Sequence, residues 1–185
     1  GDGIGNNTYS AALRYFLLEQ SKWKLSTDMG MRIDVPLDPF VKLRLKRVFK
    51  IFKHEISLIQ KFSYYRVDEF SESSDVIWTK EVGGGDKIKF QTNLGWSEKS
   101  PTFSGNNTIS YLQKLSKRRA ISYSVGAFFI IDTSYYYDRY QIASNYRQLV
   151  FKDWIFGQAA IGTIFRKEDD FNSSEYVSIA VDMIF

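Results

Sequence analysis

The sequence predicts an all-β fold, an antiparallel up-and-down β-barrel of about twelve strands with about eleven of them in this chain. Three observations predict it. Apolar and polar side chains alternate over one segment after another, as in strands whose side chains point in turn to their two faces. Turn residues separate these segments at hairpin spacing. No segment of useful length has the period of a helix.

The composition fits a single domain, 1–185, and excludes several kinds of site. The 185 residues include no cysteine, so the chain has neither a disulfide framework nor a thiolate metal site. The one histidine, His54, excludes most catalytic triads and metal sites, and we expect it in a surface turn beside Lys53. The carboxylates at 168–170 fit a solvated acidic loop. We therefore predict no enzyme activity, no cofactor and no metal.

Three segments in the first third of the chain alternate, 9–20, 23–34 and 41–51. Odd positions of the second carry Trp, Leu, Thr, Met, Met and Ile, whereas its even positions carry Lys, Ser, Asp, Gly, Arg and Asp. Each segment therefore has one apolar and one polar face. The two prolines of 35–39 predict a turn, because proline cannot donate a hydrogen bond to a strand ladder.

The middle of the chain continues the pattern. Segment 55–64 predicts a strand, the serine- and acid-rich stretch 67–74 a loop, and 75–82 a weaker strand. Three glycines within 83–86 predict a turn. The alternation is sharpest in 87–97, where Ile, Phe, Thr, Leu and Trp oppose Lys, Lys, Gln, Asn and Gly.

The last third begins with a polar loop at 98–107 and a strand at 108–115. A basic turn at 116–119 leads to an apolar-faced strand at 121–131. Segment 135–150 follows a tyrosine-rich bend and has a weak period.

The chain ends with a strand at 154–165, an acidic loop at 166–173 and a final strand at 174–185. In the final strand, apolar residues occupy every second position up to the terminal aromatic, namely Val177, Ile179, Val181, Met183 and Phe185. This ending resembles the C-terminal assembly signal of bacterial outer-membrane β-barrel proteins. The longer tail from Tyr146 is also similar to the ends of uncharacterised proteobacterial outer-membrane proteins, a likeness that implies no activity.

The medium beside the apolar faces is either lipid or the core of a soluble sandwich or closed barrel. Mean hydropathy is −0.29, and the longest apolar run, 127–131, is too short for a transmembrane helix. Neither mean hydropathy nor the length of apolar runs detects a transmembrane barrel, since only every second residue of its strands meets lipid. Aromatic residues near the strand ends favour lipid because they match two interfacial girdles. We expect a Gram-negative outer membrane.

The loops predict an orientation of the chain in the membrane, and the predicted number of strands then conflicts with this orientation. If Phe185 lies on the periplasmic side, the short turns are periplasmic and the longer loops are external, as in outer-membrane barrels. Eleven strands then place Gly1 outside, whereas bacterial single-chain barrels have an even number of strands. We therefore expect a twelfth strand from elsewhere, such as a separate N-terminal piece.

With the apolar faces in lipid, basic residues outnumber acidic ones on the inner faces. The predicted lumen-lining basic residues are Lys24, Arg32, Lys42, Arg44, Lys46, Lys61, Lys87, Lys89, Arg139 and Arg147. A basic lumen attracts anions, because low-dielectric walls concentrate the field of fixed charges. The sequence thus predicts a passive channel for small anionic solutes. The alternative is an internal ion-pair lattice that conducts nothing.

The expected surroundings follow from these assignments. They are outer-membrane lipid and lipopolysaccharide, the barrel assembly machinery, and a separate N-terminal chain or surface protein as partner. The net charge of +4 is spread along the chain, so nucleic acid is not an expected partner. A non-conducting barrel that anchors or assembles with another protein at the cell surface is the alternative function.

Overall fold

A computed structural model describes residues 9–20, 22–33, 37–67, 69–151 and 155–183. This part contains eleven strands and one 3-10 turn, Lys167–Asp169. The strands are β1 (Tyr9–Glu19), β2 (Trp23–Ile33), β3 (Asp38–Ile51), β4 (His54–Tyr65), β5 (Glu69–Gly83), β6 (Asp86–Ser97), β7 (Phe103–Lys114), β8 (Arg119–Ile131), β9 (Tyr135–Phe151), β10 (Ile155–Arg166) and β11 (Ser173–Met183). No helix in the described ranges is long and apolar enough to cross a membrane.

All eleven strands form one sheet in the order of the sequence. Each strand pairs antiparallel with the next through a short connection. The predicted all-β, up-and-down antiparallel architecture is confirmed.

Three strands begin three or more residues earlier than predicted. β3 starts at Asp38, inside the predicted turn, and Pro39 fits the strand because its carbonyl accepts a hydrogen bond from the Arg66 amide at 3.1 Å. β5 starts at Glu69 rather than 75, and β7 at Phe103 rather than 108. Their polar starts pair with neighbouring strands, and the backbone ladder does not depend on side-chain hydrophobicity.

Two smaller predictions are also corrected. His54 is the first residue of β4, not a turn residue, and its ring lies 5.6 Å from that of Trp78. Strict alternation over 9–20 predicts Glu19 on the apolar side of the strand, with Leu13 and Tyr15. On β1, however, the pairing shifts between Phe16 and Leu18, so Glu19 pairs with Lys24 on the polar side of the sheet. A bulge changes the face of every residue beyond it, and simple alternation does not reveal it.

The register divides the sheet into two faces. We call the face that carries Lys42, Asp75 and Lys89 the polar face, and the face that carries Val125, Ile142 and Val177 the apolar face. Buried residues of the polar face include Ser26, Asp38, Phe40, Ser57, Ile59 and Asp75. The most exposed apolar side chains of β7 to β11 lie on the apolar face. The sheet therefore curls toward its polar face, which becomes the concave side.

Candidate solute pathway on the polar face

Three basic residues follow one another on the polar face of β3. Lys42, Arg44 and Lys46 alternate with leucine, valine and arginine on the apolar face, so consecutive members lie roughly 7 Å apart along the strand. We call these three the basic ladder. The neighbouring strands place Lys24 beside Lys46 and Lys61 beside Arg44. The ladder therefore lies at the centre of a wider basic area.

The residues around the ladder hold its side chains in place without neutralising their positive charge. The Lys42 ammonium lies 4.7 Å from the centre of the Phe40 ring and 5.2 Å from that of Tyr65, a cation–π arrangement. Nε of Arg44 is buried and has no hydrogen-bond partner among the described atoms. Within the described ranges, the ladder forms no ion pair, although Asp28 is the direct cross-strand partner of Lys42 on the same face. Its positive charge therefore faces the concave side.

A buried carboxylate lies two strands from the ladder. Asp75, 3% exposed, accepts hydrogen bonds from Asn93 at 2.9 Å and Gln91 at 3.3 Å, and its other oxygen is 2.6 Å from the Lys61 ammonium. This cluster joins β4, β5 and β6. It neutralises one predicted lumen-lining cation and leaves the ladder without such a partner.

Two arginines lie on the far side of the sheet, on β9. The guanidinium carbon of Arg139 is 4.1 Å from the centre of the Phe128 ring, and that of Arg147 is 4.1 Å from the Phe156 ring. Stacking on a ring fixes the plane of a guanidinium. The concave side thus presents basic groups from β3 and from β9.

The structure brings most of the predicted lumen-lining residues to one face. Lys24, Lys42, Arg44, Lys46, Lys61, Lys87, Lys89, Arg139 and Arg147 share the polar face by register. Lys24 forms an ion pair with Glu19, and Lys61 forms one with Asp75. The side chain of Arg32 lies outside the described residues. A role in solute passage stays a prediction for all ten.

The apolar positions of the last strand lie on the opposite face. Val177, Ile179 and Val181 are 73%, 83% and 62% exposed, which places them among the most exposed apolar residues of the molecule. The Met183 side chain and the whole of Phe185 lie outside the described residues. The assembly signal itself therefore stays a prediction.

Sequence reasoning missed a polar cluster on the apolar face. Gln60 donates a hydrogen bond to Glu72 at 2.5 Å and accepts one from Ser74 at 2.5 Å. Glu72 and Ser74 fell in a predicted loop, but they are in phase with Val76 and Trp78 on β5. This shared alternation with Val76 and Trp78 was the one feature of the sequence that could have revealed the cluster.

The apolar face of β7 to β11 also contains a groove of about 570 Å³. Its lining includes Tyr111, Tyr123, Ile142, Ser144 and Ile161. Ser144 is a small residue among large ones, which explains why the surface is depressed here. In the described ranges, no cluster of three His, Cys, Asp or Glu side chains could hold a metal ion.

Comparison with known proteins establishes the fold and nothing finer. No family model matches the chain, and no curated protein matches it in sequence. Among solved structures, the chain is similar to that of a porin, NanC, solved in a rhombohedral crystal form, with 8% sequence identity and a TM-score of 0.66. The match covers 96% of this chain and 94% of the porin chain. The eleven up-and-down strands are therefore arranged as in a porin.

Proposed function

We propose that this chain forms a passive channel for small anionic solutes in the outer membrane of a Gram-negative bacterium. The observation that carries the proposal is the basic ladder, three consecutive cations on the concave face that form no ion pair in the described ranges, with Asp28 the one acidic residue opposite them on β2. Fixed cations on a low-dielectric wall attract anions and exclude cations. In an internal ion-pair lattice every cation would be paired, whereas here Lys24 and Lys61 are paired and the ladder forms no ion pair in the described ranges.

The membrane location is supported by the apolar face. Its exposed leucine, isoleucine, valine and tyrosine side chains would be costly in water over so large an area. Aromatic rings follow one another at the end of β8 and the start of β9, with centres 5.3 to 5.6 Å apart, through Phe129, Tyr135, Tyr137, Tyr140 and Phe171. A ring row at the strand ends is typical of the aromatic girdle of outer-membrane barrels.

Planar-bilayer recording of the purified protein tests the channel. The wild type should give discrete conductance steps and, in a salt gradient, a reversal potential that favours anions. Lys42→Gln, Arg44→Gln and Lys46→Gln combined should lower this anion preference while conductance persists. The matched control replaces three cations in the short turns, Lys53, Lys117 and Arg118, with glutamine, and should leave the preference near that of the wild type. Absence of steps, or a cation preference in the wild type, would overturn the proposal.

The polar cluster on the apolar face favours a second candidate, a non-conducting barrel that docks another protein. Gln60, Glu72 and Ser74 lie where lipid contact would favour apolar side chains. Pull-down from detergent-solubilised outer membranes, compared with the Gln60→Leu/Ser74→Val variant, separates the two functions. Docking requires a co-purifying protein that this variant loses, together with an absence of conductance steps. The channel requires conductance steps that this variant retains.

A further inference from the structure

The sheet has two long edges that no other described strand covers. β1 and β11 are both described over their full length of 11 residues, and each pairs with only one neighbour in the described chain. An uncovered edge presents a row of backbone N–H and C=O groups, which proteins usually pair or shield. In lipid such a row costs several kcal/mol per group, a step that rests on the proposed membrane location.

The strand directions determine what can fill the space between these edges. Every consecutive pair is antiparallel, so β1 and β11, ten steps apart, run in the same direction. One further strand can run antiparallel to both and extend the existing pattern on either side. A second copy with the same membrane orientation offers only edges that run in this same direction. It could therefore add only a parallel pair, which would break the antiparallel pattern of the sheet.

The side chains at both edges specify the occupant further. On the apolar face, the β11 edge carries Val177 and Ile179, and the β1 edge carries Leu13 and Tyr15, all more than half exposed. On the polar face, β1 exposes 62% of Phe16. An added strand therefore needs apolar residues at alternate positions on the apolar face. On the polar face it needs one apolar side chain, which would cover Phe16.

We propose that the space between β1 and β11 is a strand-addition site. It accepts one extended polypeptide segment of about eleven residues, a length that matches the edges and crosses a bilayer when tilted. The segment comes from polypeptide outside these eleven strands. It runs antiparallel to both edges and alternates apolar and polar side chains. Backbone hydrogen bonds on its two sides close the sheet.

The absence of cysteine from the chain makes cross-linking a clean test. Single variants Tyr15→Cys and Ile179→Cys mark the two edges. The probe is a synthetic eleven-residue peptide of alternating valine and threonine with one central cysteine, and its control has the same residues in two blocks. The alternating peptide should form a disulfide with either variant, whereas the block peptide should not. Failure of both edges to capture the alternating peptide would overturn the proposal.

A double variant tests whether the edges instead meet each other. In the presence of the alternating peptide without its cysteine, the double variant Tyr15→Cys/Ile179→Cys should form no internal disulfide, because the added strand separates the edges by roughly 10 Å. The double variant Leu13→Cys/Val177→Cys should behave in the same way. The positive control is Ile161→Cys/Val177→Cys, whose residues are direct partners on β10 and β11. An internal β1–β11 disulfide, or a disulfide-linked dimer of two copies, would overturn strand addition. Cross-linking tests only the two edges. A negative result would therefore overturn strand addition without bearing on the channel, which the bilayer recording tests separately.

Discussion

The ammonium of Lys61 lies 2.6 Å from Oδ2 of Asp75, and the carboxylate is buried while the lysine is partly exposed. The two residues are diagonal neighbours on β4 and β5, since Lys61 pairs with Ser73 and Asp75 pairs with Ile59. Asp75 thus cancels the cation closest to Arg44. The net charge on this side of the concave face is therefore set by both the ladder and Asp75.

Replacing Asp75 with asparagine should increase anion preference. The substitution removes the negative charge but keeps one acceptor oxygen, so the Lys61 charge becomes available to solutes. The buried cluster loses its charge-assisted hydrogen bonds, and we expect the free energy of unfolding to fall by about 1–3 kcal/mol. The reversal potential in a salt gradient measures the preference, and urea unfolding in lipid measures the stability.

The control for this variant is Glu168→Gln. Glu168 lies in the turn Lys167–Asp169, its side chain is 75% exposed and its oxygen is 3.9 Å from Nε of Arg166, so its loss should change neither quantity by much. An Asp75→Asn protein with wild-type selectivity would show that Lys61 does not face the solute path.

Arginine should destabilise the protein much more at one position of β11 than at the position next to it. Ile179 is on the apolar face near the middle of the strand, whereas Ser178 is on the polar face. If the apolar face meets lipid, Ile179→Arg should lower the free energy of unfolding by about 2–4 kcal/mol, the cost of a cation near the bilayer midplane. Ser178→Arg should cost much less, since its side chain points to the concave side.

Unfolding in lipid vesicles, followed by heat-modifiable gel migration, measures both variants. In a soluble protein the result differs, because Ile179 is 83% exposed and arginine at so exposed a site changes stability by about 0.5 kcal/mol or less. Equal tolerance of arginine at both positions would therefore contradict the membrane location.

The period-two pattern was sufficient to predict which residues share a face. Lys42, Arg44 and Lys46 lie together because side chains of a strand alternate, and no tertiary information was needed. The start of β5 could not be predicted in this way, since its serine-rich residues are held in the sheet by pairing on both sides. The Lys61–Asp75 contact depends on the register of one hairpin. Composition does not determine that register.

The contact between Gly105 and Phe129 provides a further test of packing on the apolar face. These two residues are direct partners on β7 and β8, and the Phe129 ring covers the glycine and is itself 7% exposed. A Cβ at position 105 would overlap the Asn93 carbonyl oxygen and lie 2.7 Å from Cζ of Phe129. Because one of these neighbours is backbone, rotation of a side chain cannot relieve the clash.

Gly105→Ala should therefore lower the free energy of unfolding by about 1–3 kcal/mol, the usual cost of overpacking. The matched control is Gly95→Ala, where the added Cβ meets its nearest atom, the Glu72 carbonyl oxygen, at 3.4 Å. Without a clash, alanine restricts the unfolded chain and should raise stability by about 0.4–1 kcal/mol. Thermal unfolding of the two variants in the same lipid compares them. The packing account fails if both substitutions shift stability in the same direction, because only one of them should force the strands apart.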